Sequence, residues 1–455
     1  MLYVWIFGSL LSIIVGFCLA EICAKLPNAG SVYVWAGELA PIKNAPLASY
    51  SAGWMNFLGN AASSVGYSFG FGQFVASVYD IYHPDNTLSL GYQVLIAMMG
   101  TVLMAIVNIL RIDIQSHLNI VNLVFSVGSL IVLCVLLMIA DSPRQSIHWA
   151  FSETFNQSGF SNFGYVVLTG TLTLLFGVAG YEASAHLAEE TNNPRVAAPL
   201  GMVFNIITTC VFGFIYLLIL VINTPSDIGN LLNNTVYDNP SIQIFVNCAG
   251  VHGAAGMTSL IVIMGFMAGL ANMTITARVG WAMARDGAFP YSDRLKYINP
   301  KTKSPTNIIL LLLVIDFILL LIPLGSPLAF AAITSISTVG YQVSYAIPIA
   351  LRLASKVWVP DTNFSLGMFS VPLNILSIIF LVVTGTFMLF PTANPITVDT
   401  MNWALPVTPA FALFGAFFWV CYSRHTFKGP VLTMDLKPSS TDNPEAIKDD
   451  ALHPL

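Results

Sequence analysis

The sequence predicts an all-α integral membrane protein with about eleven transmembrane helices. Of its 455 residues only 9% are charged and 56% are hydrophobic, and the mean hydropathy is +0.76. Soluble domains carry about 25% charged residues, so a soluble core of this size would lack a charged shell. The apolar residues form solid runs without the alternation typical of membrane β-strands, which excludes a β-barrel.

A helical span needs roughly 20 mostly apolar residues. The candidate runs lie at about 2–20, 50–82, 92–110, 119–140, 164–187, 200–222, 254–277, 307–324, 327–351, 370–391 and 404–422. The run at 50–82 is long enough for a strongly tilted or projecting helix. We therefore expect one transmembrane domain over 1–422. The polar segment 423–455 is expected to be a disordered cytoplasmic tail.

Lys and Arg residues set the orientation of such a chain. If the connection 25–49 is cytoplasmic and the sides alternate, 16 of the 17 Lys and Arg residues are inside and Arg144 alone is outside. The outer connections then carry glycosylation candidates at Asn156 and Asn233. Two further sequons, at Asn272 and Asn363, fall in a span and on the inner side, so we treat them as chance. We expect a plasma-membrane location, with a vacuolar or other endomembrane as the alternative.

The stretch "LLFGVAGYEASAHLAEE" (174–190) places two glycines and a carboxylate in an apolar span. Unwound backbone survives in hydrocarbon only where it faces protein or a watery cavity, and transporters bind solutes at such breaks. The helix end after the break could hold a carboxylate, and Tyr181 and Glu182 could hold an ammonium group. The candidate substrate-binding residues here are Phe176, Gly177, Val178, Ala179, Gly180, Tyr181 and Glu182. The alternative is a glycine-rich packing face.

Other polar positions in the spans are weaker candidates. Asn56, Asn60 and Ser63 share one side of the second span, either facing substrate or bonding between helices. Asp316 is an intramembrane acid and a candidate proton carrier, although a partner on a neighbouring helix or a protonated state would also explain it. His186, Glu189 and Glu190 are interpreted as the cytoplasmic exit of the helix rather than a metal site. No metal site or cofactor is predicted, and proton coupling stays open.

Five motifs resemble one family. They are "LAEICAKLPNAGSVYVWAGELAP" (19–41), "SAGWMNFLGNAA" (51–62), "GYEASAHLAEETNNPRVAAP" (180–199), "ARDGAFPYSDRLKYINPKTKSPTN" (284–307) and "TSISTVGYQVSYAIPIALRL" (334–353). In this order they resemble the amino acid/choline transporter branch of the amino acid–polyamine–organocation superfamily, which includes fungal GABA permeases and plant bidirectional amino acid transporters.

The resemblance implies a five-plus-five inverted-repeat fold followed by two further helices, with the first and sixth of twelve spans broken. It implies that Asn56, Asn60, Ser63, Asn272, Ser335 and Ser337 lie at or near the substrate. Four spans precede 164–187 here, so the family's first helix would lie upstream of Met1. A chain of eleven spans with its C-terminus inside would have Met1 outside, and an outside N-terminus is normally delivered by a preceding span.

The sequence thus predicts a secondary transporter for an amino acid or a small amine such as GABA or choline, working by alternating access. Its partners would be that solute and the lipid bilayer, with no nucleic acid, and the oligomeric state stays open. A truncated, non-transporting member of the family is the main alternative. A channel would need rings of like residues around a pore. A membrane enzyme would need a clustered nucleophile, base or metal set, and neither pattern is present in the spans.

Overall fold

A computed structural model describes residues 1–110, 112–140, 142–325, 329–355, 364–397 and 400–430. Every regular element in these ranges is a helix. The α-helices and the longest 3-10 segment are, in chain order, α1 (Leu2–Lys25), α2 (Val32–Leu39), α3 (Ala45–Tyr82), α4 (Leu90–Ile109), α5 (Ile112–Ile139), α6 (Ile147–Ser152), α7 (Phe163–Thr169), α8 (Leu172–Gly177), the 3-10 segment (Tyr181–Glu190), α9 (Pro194–Ile222), α10 (Ile228–Asn234), α11 (Pro240–Arg285), α12 (Ser292–Leu295), α13 (Thr306–Leu320), α14 (Ala329–Ala354), α15 (Ser370–Phe387), α16 (Ala404–Phe418) and α17 (Arg424–Thr426).

Nine helical segments within the described residues are long and apolar enough to cross a membrane, and they correspond to nine of the predicted spans. The other two predicted spans, 50–82 and 327–351, are the 38-residue α3 and the 26-residue α14. Both are richer in glycine and polar residues because they lie inside the bundle. Helix α3 packs most extensively against α11 and α14, so these three helices form the centre of the molecule.

The backbones of α3 and α14 touch where two glycines meet. A Cβ atom added to Gly340 would lie 2.7 Å from the Gly59 nitrogen, and one added to Gly59 would lie 2.9 Å from the Tyr341 nitrogen. Small residues at a crossing let membrane helices approach this closely. The contact brings the residues after each glycine together, and Tyr341 Oη donates to Asn60 Oδ1 at 3.0 Å.

The connections contain more structure than the sequence indicated. The predicted inner connection 25–49 holds α2, whose Tyr33 and Trp35 are fully buried. Burial and the neighbouring Asp286 carboxylate raise the pKa of Tyr33 well above its ordinary value, so Tyr33 stays neutral and its hydroxyl donates to Asp286. The predicted outer connection 223–253 holds α10 and the first part of α11, which bends at Gly250 (φ 66°).

The packed part of the chain extends beyond the predicted boundary at 422. Ser423 is fully buried and donates to the Ala288 carbonyl at 2.9 Å. Phe427 is buried against the rings of Tyr50 and Trp419. An aromatic anchor of this kind explains why the fold does not stop where the hydrophobic run does. Residues 431–455, which hold most of the predicted tail, lie outside the described residues.

Candidate functional site

The predicted break in the span 164–187 is present in the structure. Helix α8 ends at Gly177, and Gly180 has a left-handed backbone conformation with φ 77°. Glycine adopts this conformation readily because it has no Cβ atom. The chain then continues as a ten-residue 3-10 helix rather than an α-helix. A second interruption, which the sequence did not indicate, separates α7 from α8 at residues 170–171.

The carboxylate of Glu182, just after the break, is buried and held by two neutral groups. Its side chain is 1% exposed. Asn56 Nδ2 donates to Oε1 at 3.0 Å, and the Tyr345 hydroxyl donates to Oε2. Among the described residues, no Lys or Arg side chain forms an ion pair with this carboxylate. Burying a charge without a counter-ion is costly, so the burial of Glu182 needs an explanation.

The same tyrosine ties the break itself to α14. The Gly180 N–H group donates to Tyr345 Oη at 3.2 Å, so this hydroxyl accepts from the break and donates to Glu182. We expected the backbone N–H groups at the start of the helix after the break to face a carboxylate. In the structure, the Gly180 group is already engaged by a protein hydroxyl.

Amide and hydroxyl groups extend the network along α3. Asn60 Nδ2 donates to the Asn56 carbonyl at 2.9 Å and to Asn56 Oδ1 at 3.1 Å. Asn56 Nδ2 also lies 3.3 Å from Ser344 Oγ. Asn272 Nδ2 on α11 donates to the Asn60 carbonyl at 3.1 Å. Asn56, Asn60 and Asn272 therefore bond between elements, Asn56 to the 3-10 segment, Asn60 to α14 and Asn272 to α3. That they also face the substrate stays a prediction.

The serines divide into two groups. Ser63 Oγ and Ser337 Oγ are 2.6 Å apart, and Ser337 donates to the Gly59 carbonyl at 3.0 Å. This pair joins α3 to α14 beside the glycine crossing. Ser335 is buried on α14, but no contact among the described residues connects it with Glu182 or its partners.

A cavity of about 250 Å³ opens beside the break. Its lining residues are Asn60, Ser63, Tyr67, Phe176, Ala179, Gly180, Glu182, Asn205, Ala268, Ala271, Asn272, Ile275 and Tyr341. Seven of the predicted candidates are among them. Val178, Ala179 and Tyr181 face a much smaller void of about 20 Å³ on the other side of the segment. Gly177, Ser335, Ser337 and Asn56 line neither cavity.

Sequence reasoning missed the tyrosines. Tyr341 and Tyr345 hold Asn60 and Glu182, and Tyr67 lines the cavity. A signal was available, because Ser337, Tyr341 and Tyr345 are spaced by four and share one face of α14. Tyrosine in an apolar helix is common, so this spacing alone does not predict a polar site.

Asp316 has a partner on a neighbouring helix, which is one of the alternatives predicted for it. The side chain is fully buried on α13, and Ser64 Oγ donates to Oδ2 at 2.7 Å. Oδ1 has no hydrogen-bond partner among the described residues. Asp316 does not line the 250 Å³ cavity, but Ser63, the neighbour of its partner, does.

The two glycosylation candidates are accessible. Asn156 is exposed, and Ser158 donates to its side-chain oxygen. Asn233 is exposed in α10. Of the two sequons treated as chance, Asn272 is buried and Asn363 lies outside the described residues.

Comparison with known proteins gives the family. The family model described as amino acid permease matches residues 1–412. The chain belongs to the amino acid permease family. It is 30% identical to the amino-acid permease BAT1 of Arabidopsis thaliana, over 95% of this chain and 86% of that protein. It is 27% identical to amino-acid permease 2 of Neurospora crassa, over 96% of this chain and 80% of that protein.

A solved structure gives the fold. The permease superposes on a variant of the manganese transporter of Eremococcus coleocola with a TM-score of 0.56, at 11% identity, covering 92% of this chain and 86% of that one. The family and the transporter fold predicted from the five motifs are thus confirmed. The permease is a transmembrane amino acid transporter rather than an enzyme.

Proposed function

We propose that this permease carries a small solute with a charged amino group, an amino acid or an amine such as GABA or choline, and that Glu182 receives that group. The carboxylate is buried, lines the cavity and has only neutral partners among the described residues. A bound ammonium group would supply the missing counter-ion. The N–H groups of an amino acid or GABA would add charge-assisted hydrogen bonds, which are about twice as strong as neutral ones, whereas the quaternary nitrogen of choline would supply charge alone.

The size and lining of the cavity support a small, polar solute. Sites for drug-sized ligands occupy about 300–1,000 Å³, and this cavity measures about 250 Å³. Tyr67 and Asn205 also line it and offer hydroxyl and amide donors for a carboxylate. Hydrogen bonds to Asn56 and Tyr345 fix the Glu182 carboxylate in place, which lowers the ordering cost of binding.

Transport by alternating access follows from where these groups sit. Glu182 is on the broken segment, whereas Asn56 is on α3 and Tyr345 is on α14. A rocking movement of the broken span against α3 and α14 would expose the cavity to one side and then to the other. The ammonium group of the solute neutralises Glu182 only while the solute is bound. Binding therefore changes the balance between the two arrangements of these helices.

The test is competition in proteoliposomes. Radiolabelled L-alanine, L-glutamate, L-lysine, GABA and choline are assayed for saturable uptake, and each active label is then competed with unlabelled compounds. We expect amino compounds to compete. Butyrate, which is GABA without its amino group, should need at least a tenfold higher concentration for the same inhibition. Equal competition by GABA and butyrate would contradict the assignment of Glu182 to the amino group.

The orientation is also a proposal. We infer that the basic face, the end of the bundle that carries Lys25, Arg278, Arg285 and Arg352, is cytoplasmic, and that the permease lies in the plasma membrane. The charge difference between the two ends supports this, because the two exposed sequons lie at the end opposite the basic face.

A further inference from the structure

A second cavity, of about 660 Å³, is an apolar groove in the side of the bundle. Trp54 and Leu58 of α3 and Ile333 of α14 are buried in its floor, while Leu311 of α13 and Phe414 of α16 stand on its two sides. We define the lateral groove by these five residues. Phe414 is 51% exposed, so the groove opens on the outer surface of the bundle. It shares no lining residue with the 250 Å³ cavity.

The lateral groove runs through the hydrocarbon of the membrane. Both of its sides belong to helical segments that are long and apolar enough to cross a bilayer. Trp403 lies at one end of the groove and Phe418 at the other, and α16 rises about 22 Å between them. One leaflet contains about 15 Å of hydrocarbon, half of the bilayer core. The groove is therefore long enough for the whole acyl chain of a lipid.

The walls of the groove favour hydrocarbon over water or a polar solute. The described lining residues include no charged side chain, and their polar side-chain groups are the indoles of Trp54 and Trp403. Trp54 Nε1 already donates to the Phe411 carbonyl at 3.2 Å. A buried water needs about two to four polar partners, and an empty gap forfeits dispersion contacts. Inside a bilayer, the adjoining acyl chains are the groups that can fill it.

One end of the groove lies next to an exposed arginine. Phe289 forms part of this end. Ser423 Oγ donates to the carbonyl of Ala288 at 2.9 Å, so the chain that follows α16 is bonded to the residue before Phe289. Arg424 comes directly after Ser423 and is exposed. Its Nε lies 3.0 Å from His425 Nε2, and an imidazole does not neutralise the charge of a guanidinium group.

A second cation lies near the same end. Phe427 is buried against the ring of Tyr50, and Tyr50 stacks on Trp54 in the floor of the groove, with 5.8 Å between ring centroids. Lys428 comes directly after Phe427 and is exposed. Two exposed cations thus flank the end of a groove that is otherwise apolar.

The acidic side chains near this end are already paired. Asp286 is bound by Arg285 at 2.9 Å, and Asp293 is bound by Lys296 at 2.6 Å. The described residues from 423 to 430 include no acidic side chain. The charge at this end of the groove therefore complements an anion.

We propose that the lateral groove binds one acyl chain of an anionic phospholipid, whose phosphate lies beside Arg424 and Lys428. Lys and Arg residues next to a spanning helix attract anionic lipids, and the groove receives the chain that is attached to the headgroup. The inference is independent of the proposed function, because the groove and the cavity around Glu182 have separate walls.

Native mass spectrometry of the purified full-length permease tests the groove. The protein is loaded with phosphatidylglycerol or with phosphatidylcholine of identical acyl chains, and the lipids retained per chain are counted as detergent is raised. We expect one phosphatidylglycerol to remain at a detergent concentration that removes phosphatidylcholine. Leu311→Trp, whose indole would fill the groove, should lose this lipid. Leu310→Trp is the matched control and should keep it, because Leu310 is exposed and does not line the groove.

The same measurement tests the headgroup. Replacing Arg424 and Lys428 together by Gln should weaken retention of phosphatidylglycerol about tenfold and leave that of phosphatidylcholine unchanged. Replacing Lys43 and Lys301 together by Gln removes the same charge from two other exposed positions and should have no effect. Both double variants change only exposed side chains, so they test the proposal even if Leu311→Trp does not fold.

Three results would overturn the proposal. Equal retention of the two lipids by the wild type would show that the headgroup is not recognised. Retention of phosphatidylglycerol by a folded Leu311→Trp at the wild-type level would place the lipid outside the groove. A lipid-free dimer of the wild type that dissociates in Leu311→Trp would show that a second copy of the chain covers the groove instead.

Discussion

At the scale of single residues, the site depends on Gly180, whose backbone conformation turns the chain so that Glu182 faces α3 and α14. Gly180 has φ 77°, while Gly177, three residues earlier, is the last residue of α8. A Cβ atom at either position meets nothing closer than 3.7 Å. The two glycines thus differ in backbone conformation rather than in space.

Alanine substitutions at these glycines give a matched pair. The left-handed conformation costs a residue with a Cβ atom roughly 1–2 kcal/mol, so Gly180→Ala should lower solute affinity or uptake by about tenfold, and Gly180→Leu should abolish uptake. Gly177→Ala should be near wild type. Uptake and surface expression are measured together in cells. Equal kinetics for the two alanine variants would show that Gly180 is only a packing residue.

Asp316 allows a separate prediction about coupling. Its carboxyl group is buried beside Ser64, and Oδ1 has no partner among the described residues. We propose that it carries a coupled proton. Asp316→Asn should then abolish the dependence of uptake on a pH gradient while solute exchange across the membrane continues. Ser64→Ala should change that dependence without abolishing it. If the pH dependence survives in Asp316→Asn, the residue is structural, and Glu182 becomes the next acid to test.

At the scale of helices, the contact between α3 and α14 determines whether the polar network forms. Gly340→Ala would place a Cβ atom 2.7 Å from the Gly59 nitrogen, and overpacking of this kind costs about 1–3 kcal/mol. We expect a lower melting temperature in detergent and weaker uptake, because Asn60 and Tyr341 would separate. Gly70→Ala, on the same α3 but with nothing within 4 Å, should change neither property. Similar melting temperatures for the two variants would show that the glycines do not determine how closely α3 and α14 approach.

The helices also show which features of the fold and of the site the sequence could predict. Apolar runs and the pair Gly177 and Gly180 are local signals, so the spans and the break could be predicted. The alternatives for Asn56, Asn60 and Asp316 could not be decided, because their partners come from α14, the 3-10 segment and α3, far away in the chain. Tyr345, which bonds both Gly180 and Glu182, becomes a site residue only when α14 is packed against the break.

At the scale of the whole molecule, all the polar groups of the site lie inside the bundle, while its ends differ in charge. Among the described residues, the basic face carries Lys25, Arg278, Arg285 and Arg352, and the opposite end exposes Asn156 and Asn233. The predicted orientation rests on this difference alone.

Glycosylation tests that orientation. When the permease is expressed in yeast, we expect a glycosidase-sensitive shift on gels that is reduced in Asn156→Gln or Asn233→Gln and absent in the double variant. Both side chains are exposed, so the substitutions should not disturb folding. A shift that persists in the double variant would place another part of the chain outside and contradict the orientation.

The central claim is that the Glu182 carboxylate receives the amino group of the solute, and uptake by Glu182→Gln in proteoliposomes tests it most directly. Glutamine has nearly the same shape. Its carbonyl oxygen can accept from Asn56 and its amide N–H can donate to the Tyr345 hydroxyl, so the packing should remain while the charge is lost. A lost hydrogen bond to a charged group costs about 1.5–3 kcal/mol, or about tenfold to a hundredfold in affinity. We expect at least that rise in the half-saturating concentration, whereas Glu38→Gln, an exposed acid on α2, should behave like the wild type. Saturable uptake by Glu182→Gln with an unchanged half-saturating concentration would contradict the account.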